Sequence, residues 1–322
     1  MKNFIKQQFA IDKKPHKGLF GYEYAIIIYA AITLLFGLFF YTKMANPQAF
    51  LWGRIRIVAM LGGTWVVYRL IPCRMTILIR ATLQLALLAW WYPDTYEINR
   101  ILPNLDHVFA GWEQSLFGFQ PALVFAHNFP SPIISELLDL GYVFYYPIIA
   151  LTCLAYYAMR YEEFQKCLFI VMASFFTYYL IFDFIPVVGP TFYYRAIGLN
   201  NVVHGVFPSV GDYFNSHTAC LSSPGYSRGI FYGLVESAKE AGERPTAAFP
   251  SSHVGISTVC MLLLLRLRYK KLLYVVTPIY VCLCLATVYI QAHYAIDAIA
   301  GFISALIFFY LFNSVYIRKI KQ

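Results

Sequence analysis

The sequence predicts an all-α integral membrane protein of about eight transmembrane helices, with an interfacial helix and a long extracytoplasmic loop. Two observations carry that expectation. The 322 residues are 60% hydrophobic and 13% charged, with a mean hydropathy of +0.59, where ordinary soluble domains are about a quarter charged. Apolar runs of roughly 20 residues, the length needed to cross the hydrocarbon, recur at 24–42, 51–68, 75–92, 138–158, 164–184, 253–267, 272–290 and 295–315.

Residues 1–23 form a basic N-terminal segment with Lys2, Lys6, Lys13, Lys14 and Lys17, and 24–92 hold the first three spans. The first span has full length and no small-residue cleavage site after it, so it reads as uncleaved. Arg69 and Arg74 follow the second span, Arg160 and Lys166 the fourth, and Arg266, Arg268, Lys270 and Lys271 the sixth. The tail, 316–322, carries Arg318, Lys319 and Lys321. With eight spans all of these fall on one side. The rule that Lys and Arg mark cytoplasmic loops then puts both termini in the cytoplasm. The net charge of +9 is thus a loop asymmetry and not a nucleic-acid surface.

Residues 93–137 make an extracytoplasmic interfacial segment, in which Leu102, Leu105, Phe109, Trp112 and Leu116 recur at three- and four-residue steps among Asn104, His107, Glu113 and Gln114. That pattern predicts an amphipathic helix lying in the interface. Residues 138–315 form the catalytic core, interrupted at 186–250 by a loop rich in Gly, Pro, Ser and Tyr that begins Pro186, Val187, Val188, Gly189, Pro190. This loop carries Arg195, Arg228, Lys239 and Arg244, the last two being the basic groups nearest in sequence to His253. The seven cysteines suggest no disulfide framework, and only Cys220 falls in an extracytoplasmic loop.

Two strings at that face carry the chemistry: Phe249, Pro250, Ser251, Ser252, His253, and His293, Tyr294, Ala295, Ile296, Asp297. Pro suits a first helical turn and Ser a cap, so the first string predicts a helix N-terminus. Its free N–H groups and dipole favour an anion such as phosphate, with His253 beside it. His293 and Asp297 are four apart and on a helix would share a face, the carboxylate accepting a hydrogen bond from the imidazole. An imidazole so oriented can serve as nucleophile or base, and a second histidine can donate a proton to the leaving oxygen. The competing expectations are a structural His/Asp pair, simple helix capping, and a metal site. The last lacks a His-Glu-x-x-His string or Cys/His cluster.

At these residues the chain resembles the type 2 phosphatidic acid phosphatase superfamily, whose pattern runs Lys-x6-Arg-Pro, Pro-Ser-Gly-His, then Ser-Arg-x5-His-x3-Asp. Pro250, Ser251, Ser252, His253 match the second element, and His293 and Asp297 the end of the third. The resemblance implies a six-helix core, His293 as the nucleophile that becomes phosphohistidine, Asp297 as its orienting partner and His253 as the acid. Ala286, Thr287 stand where Ser-Arg is expected, and Arg244, Pro245 is the only Arg-Pro. The arginine clamp for phosphate is therefore missing. That departure, with Phe249 and Tyr294, is similar to the branch containing inositol phosphorylceramide synthase and sphingomyelin synthase.

The resemblance implies a phosphotransferase that moves a phospho-head group, phosphoinositol for example, from a phospholipid donor to a lipid hydroxyl such as that of ceramide. It implies no cofactor and no metal, and an active site on the periplasmic or lumenal face. The alternative is a lipid phosphate phosphatase, in which water replaces the acceptor. Ser251, Ser252, Tyr294, Lys239, Arg244 and Arg195 are the expected substrate contacts. A transporter with a buried His/Asp relay would need ionisable residues in mid-span, where the sequence looks nearly free of them. A non-catalytic membrane protein is the remaining expectation, and the sequence leaves the oligomeric state open.

Overall fold

The computed structural model describes residues 2–320, with side chains from Lys6 to Arg318. Lys321 of the basic tail lies outside the described residues, as do the side chains of Lys2 and Lys319. The helices run in order α1 (Lys2–Phe9), α2 (Gly21–Phe39), α3 (Pro47–Leu70), α4 (Arg74–Ala86), α5 (Leu88–Asn99), α6 (Asp106–Phe117) and α7 (Pro121–Asn128). Next come α8 (Pro132–Val143), α9 (Tyr145–Met159), α10 (Tyr161–Phe184), α11 (Pro190–Ile197) and α12 (Leu199–Val203). The last four are α13 (Ile230–Gly242), α14 (Ser252–Leu267), α15 (Lys270–Tyr289) and α16 (Ala295–Val315). There is no strand among the described residues.

All eight expected spans are helical. Among the described residues six stretches are long and apolar enough to cross a membrane by themselves: α2, α3, α4 with α5, α10, α15 and α16. A seventh forms if α8 and α9 count as one span bent by 50°. Pro147 explains the bend, because it offers no N–H to the carbonyl of Val143 and its ring crowds that carbonyl. The eighth, α14, has 16 residues, about 24 Å at 1.5 Å per residue, which is short of a ~30 Å hydrocarbon layer. It is a nearly fully buried helix rather than a lipid-facing one.

α10 is the axis of the bundle, with Leu168, Ile170, Val171, Met172 and Phe175 sealed from solvent. α2, α5, α9, α14 and α16 pack around it. Outward-facing Phe39, Trp52, Leu70, Tyr274, Val275 and Ile307 remain exposed, as expected of helices whose outer solvent is lipid.

Two expectations change. The connection at 186–250 is not structureless, since α11, α12 and α13 lie within it. The spans are also not free of ionisable groups: Glu23 on α2 pairs with Arg80 on α4, both side chains fully buried. Arg54 on α3 pairs with Asp94 on α5 at 2.7 Å. Charges two helices apart in sequence find each other in space, so each span looks less polar in sequence than the bundle is inside.

The interfacial helix exists as α6, but it is turned around. Trp112 and Leu116 on its outer side are 58% and 65% exposed, whereas Asp106 and Glu113 point inward and are fully buried. A groove of about 820 Å³ between α2, α10 and α16, lined by Phe20, Tyr24, Phe169, Ala173, Phe176 and Phe312, includes no residue of either motif.

Candidate active site

The two strings meet. Ser251 N–H donates to the Asp297 carbonyl at 2.9 Å, and the His253 and His293 ring centroids are 5.6 Å apart. Gly301, one turn beyond Asp297, makes this approach possible, because a Cβ there would run into the Ser251 carbonyl.

Ser251 is the N-cap of α14, its Oγ accepting from Val254 N–H at 3.4 Å. The helix therefore begins at Ser252, and Pro250 precedes the cap instead of sitting in the first turn. His253 stands in that first turn between two tyrosines, stacked on Tyr142 at 4.7 Å and tilted against Tyr145 at 4.2 Å. These flank the α8/α9 bend, so the Pro147 break delivers both rings to one histidine. The Tyr145 hydroxyl reaches the Ser252 carbonyl at 3.5 Å. The His253 Nδ1 is buried without a hydrogen-bond partner.

His293 lies in the short connection before α16, and Tyr294 is that helix's N-cap. The helical four-residue geometry expected for His293 and Asp297 therefore does not apply. The His293 Nδ1 bonds the Ala248 carbonyl at 2.8 Å, while the Asp297 carboxylate lies 3.7 Å from that nitrogen, beyond hydrogen-bonding distance. A carbonyl only accepts, so Nδ1 carries the proton and Nε2 is left bare. Asp297 Oδ2 instead accepts from Tyr294 N–H at 2.9 Å, capping its own helix. Burial pushes the His293 pKa down to about 4, against smaller upward pulls from the Ala248 carbonyl and the Glu243 carboxylate. The imidazole is neutral at physiological pH.

The connection holding His293 is fastened from several sides. Thr191 N–H donates to the Gln291 carbonyl at 2.9 Å, and Gln291 Nε2 donates to Ala122 at 3.2 Å. Gly189, at φ +90°, approaches the Ala292 carbonyl so closely that a Cβ would stand 2.6 Å from it. Asp106 gathers four donors: Asn104 Nδ2 and Val188 N at 2.7 Å, Gly189 N at 2.9 Å and the Tyr294 hydroxyl at 3.0 Å. Burial raises the Asp106 carboxyl and these donors lower it. Tyr294 is fully buried by this contact, so its hydroxyl faces the protein. Glu113 Oε2 accepts from Ile296 N–H in the first turn of α16 at 3.1 Å.

The basic residues of the long connection do not converge on the histidines. Arg195 is exposed and donates to the Cys220 carbonyl at 2.9 Å. Arg228 and Arg244 are exposed. Lys239 pairs with Glu236 at 3.4 Å and donates to the Leu221 carbonyl. Glu243, one helical turn after Lys239, is the acid whose charge reaches His293. Among the described residues no three His, Cys, Asp or Glu side chains converge to hold a metal.

Sequence reasoning missed Tyr142, Tyr145, the Ala248 carbonyl, Glu243 and Asp106. It noted Glu113 only as a polar residue on the interfacial helix. One signal was present: Asp106 and Glu113 are seven apart, two acids on one stripe of an otherwise apolar helix.

No curated protein and no solved structure matches the chain. Residues 107–311, from the first turn of α6 through most of α16, match the model of the PAP2 superfamily, whose members are phosphatases or phosphotransferases of lipids. The meeting of Pro250, Ser251, Ser252, His253 with His293 and Asp297 in an all-helical membrane bundle agrees with that match, and the chain belongs to the PAP2 superfamily.

Proposed function

We propose that the protein is a lipid head-group phosphotransferase, with its histidine pair on the extracytoplasmic face and both termini in the cytoplasm. The observation that supports it best is the histidine pair itself: rings 5.6 Å apart, with the proton of His293 held on Nδ1 by Ala248. Nε2 of His293 attacks the phosphorus of a phospholipid phosphodiester. The bond from phosphorus to the glycerol oxygen breaks, and His253 gives that oxygen its proton as diacylglycerol leaves. The head group then rests as a phosphohistidine. His253 next takes the proton of an acceptor hydroxyl, such as that of ceramide, whose oxygen displaces His293 from phosphorus.

The incoming phosphate anion supplies the negative charge that favours the imidazolium form of His253. Asp297, 3.7 Å from the protonated nitrogen of His293, stabilises positive charge as it develops on that ring. The free N–H groups of the α14 first turn face the same anion.

Transfer is favoured over hydrolysis by the absent arginines. A phosphodiester carries one negative charge where a terminal monoester carries close to two, so less cationic neutralisation is needed. Phe249 and Tyr294 point to the same branch, and the tyrosine-flanked setting of His253 suits a lipid acceptor more than bulk water. Ser252, Lys239 and Arg244 remain the proposed head-group contacts; Lys239 would need to leave Glu236 and the Leu221 carbonyl, and Arg195 the Cys220 carbonyl, to reach the head group.

The test is purified protein in vesicles given labelled phosphatidylinositol with and without ceramide. The expected result is a labelled phosphoinositol-ceramide formed only when ceramide is present. Soluble inositol phosphate with no new lipid would move the assignment to the phosphatase.

A further inference from the structure

We propose that Glu113 on the interfacial helix is a positioning residue for the histidine pair, gripping the first turn of α16 so that Asp297 and His293 stay in register. The inference rests on the histidine chemistry above and names a residue outside both motifs. Its side chain is fully buried on a helix whose opposite face, Trp112 and Leu116, is exposed. One oxygen accepts from Ile296 N–H at 3.1 Å, and the other is buried with no partner. Asp297, on the same first turn, is in the matching condition: Oδ2 holds Tyr294 N–H and Oδ1 has no partner.

Two carboxyls thus share one helix N-terminus, one supplied by α16 and the other by α6. An N-terminus holds a single negative charge well. Two such charges in a buried site repel each other, and one group takes up a proton instead. Burial pushes Glu113 up to about 8, with the charge of Asp297 adding to the rise and the Ile296 N–H opposing it. Tyr194 of α11 also faces it, its hydroxyl donating to Gln120; Asp106, two turns back on α6, is held by its own four donors. Below about pH 8 Glu113 is neutral, and it then holds α16 without adding a negative charge to the field at His293. Above about pH 8 it ionises, and a second negative charge enters the site that must receive a phosphate.

The experiment compares wild type, E113Q, E113A and H293Q with labelled phosphatidylinositol plus ceramide and, separately, labelled phosphatidic acid, across pH 6 to 10. E113A is expected to lower kcat on the order of 10²-fold, the scale of a displacement of about 1 Å in a catalytic group, with KM changed much less. E113Q, which still accepts from Ile296, recovers most of that loss and removes the decline of kcat above about pH 8. A pH profile of E113Q that superimposes on wild type would overturn the proposal even if E113A does not fold. So would wild-type kcat in E113A. Turnover by H293Q of either lipid would instead overturn the histidine reading and leave the grip of Glu113 on α16 a separate matter.

Discussion

Two of the sets of buried charges in this bundle are built differently. Between the N-terminal helices, Glu23 faces Arg80 and Asp94 faces Arg54, each acid against a base. At the other, Glu113 and Asp297 meet at the first turn of α16 beside the histidine pair, and among the described residues no Lys or Arg pairs with either acid; buried polar atoms without a hydrogen-bond partner occur in both sets, on Arg54 and Arg80 as on Glu113, Asp297 and His253. Buried pairs are neutral overall and serve to join helices. Unpartnered buried groups are costly unless something completes them. What separates the sets is charge: the one whose acids lack a base lies beside the histidine pair and marks the chemistry, and the one whose acids have theirs marks the scaffold.

That contrast can be broken from either side. The largest effect is expected at the site: H293Q should reduce turnover by on the order of 10³-fold or more, as losses of a nucleophile do, while the purified protein unfolds at nearly the wild-type temperature at pH 7.5. The pH dependence sharpens this. His293 is held neutral down to about pH 4, whereas an unfolded histidine protonates near 6.5. Between those values the unfolded chain binds a proton that the folded one refuses, so stability falls as pH drops. The fall should be shallower in H293Q when unfolding temperatures are compared at pH 7.5 and 5; equal slopes would mean that His293 is not buried neutral.

Next in size is the scaffold pair. R80M leaves Glu23 buried without its base and should destabilise by about 3–5 kcal/mol. E23Q with R80M should recover most of it, because both charges are then gone. Thermal or denaturant unfolding of the two singles and the double would show this, and a strictly additive double would end the claim that the pair acts as one neutral unit.

G301A tests the contact that brings the strings together. Its methyl group must displace the Ser251 carbonyl, an overpacking that costs about 1–3 kcal/mol, and it should lower activity along with unfolding temperature. The smallest effect is that of S251A. Losing an N-cap typically costs about 1 kcal/mol, and the 3.4 Å length of the Ser251 to Val254 bond argues for the lower part of that range. A large loss of turnover in S251A with unchanged stability would show instead that the hydroxyl touches substrate.

Much of this was legible along the chain. Apolar runs of membrane length specify helices locally, since in lipid every backbone group must be satisfied within its own segment. All eight expected spans are accordingly helical. Capping is local too, and Ser251 is the N-cap that its type and position suggest. The bend at α8/α9 was readable from Pro147, although nothing in the sequence says that the two flanking tyrosines meet His253.

The sequence by itself determined the helices, their greasy exteriors and the two histidine strings, because propensity, hydropathy and capping act over a few residues. Tertiary structure alone decided how charges are shared out. It paired Glu23 with Arg80 across 57 residues and gave the His293 proton to a backbone carbonyl 45 residues away. It also turned the interfacial helix so that its acids face the site. A hydrogen bond or ion pair is satisfied by whichever group arrives within about 3 Å with the right direction, and only the packed bundle settles which group that is.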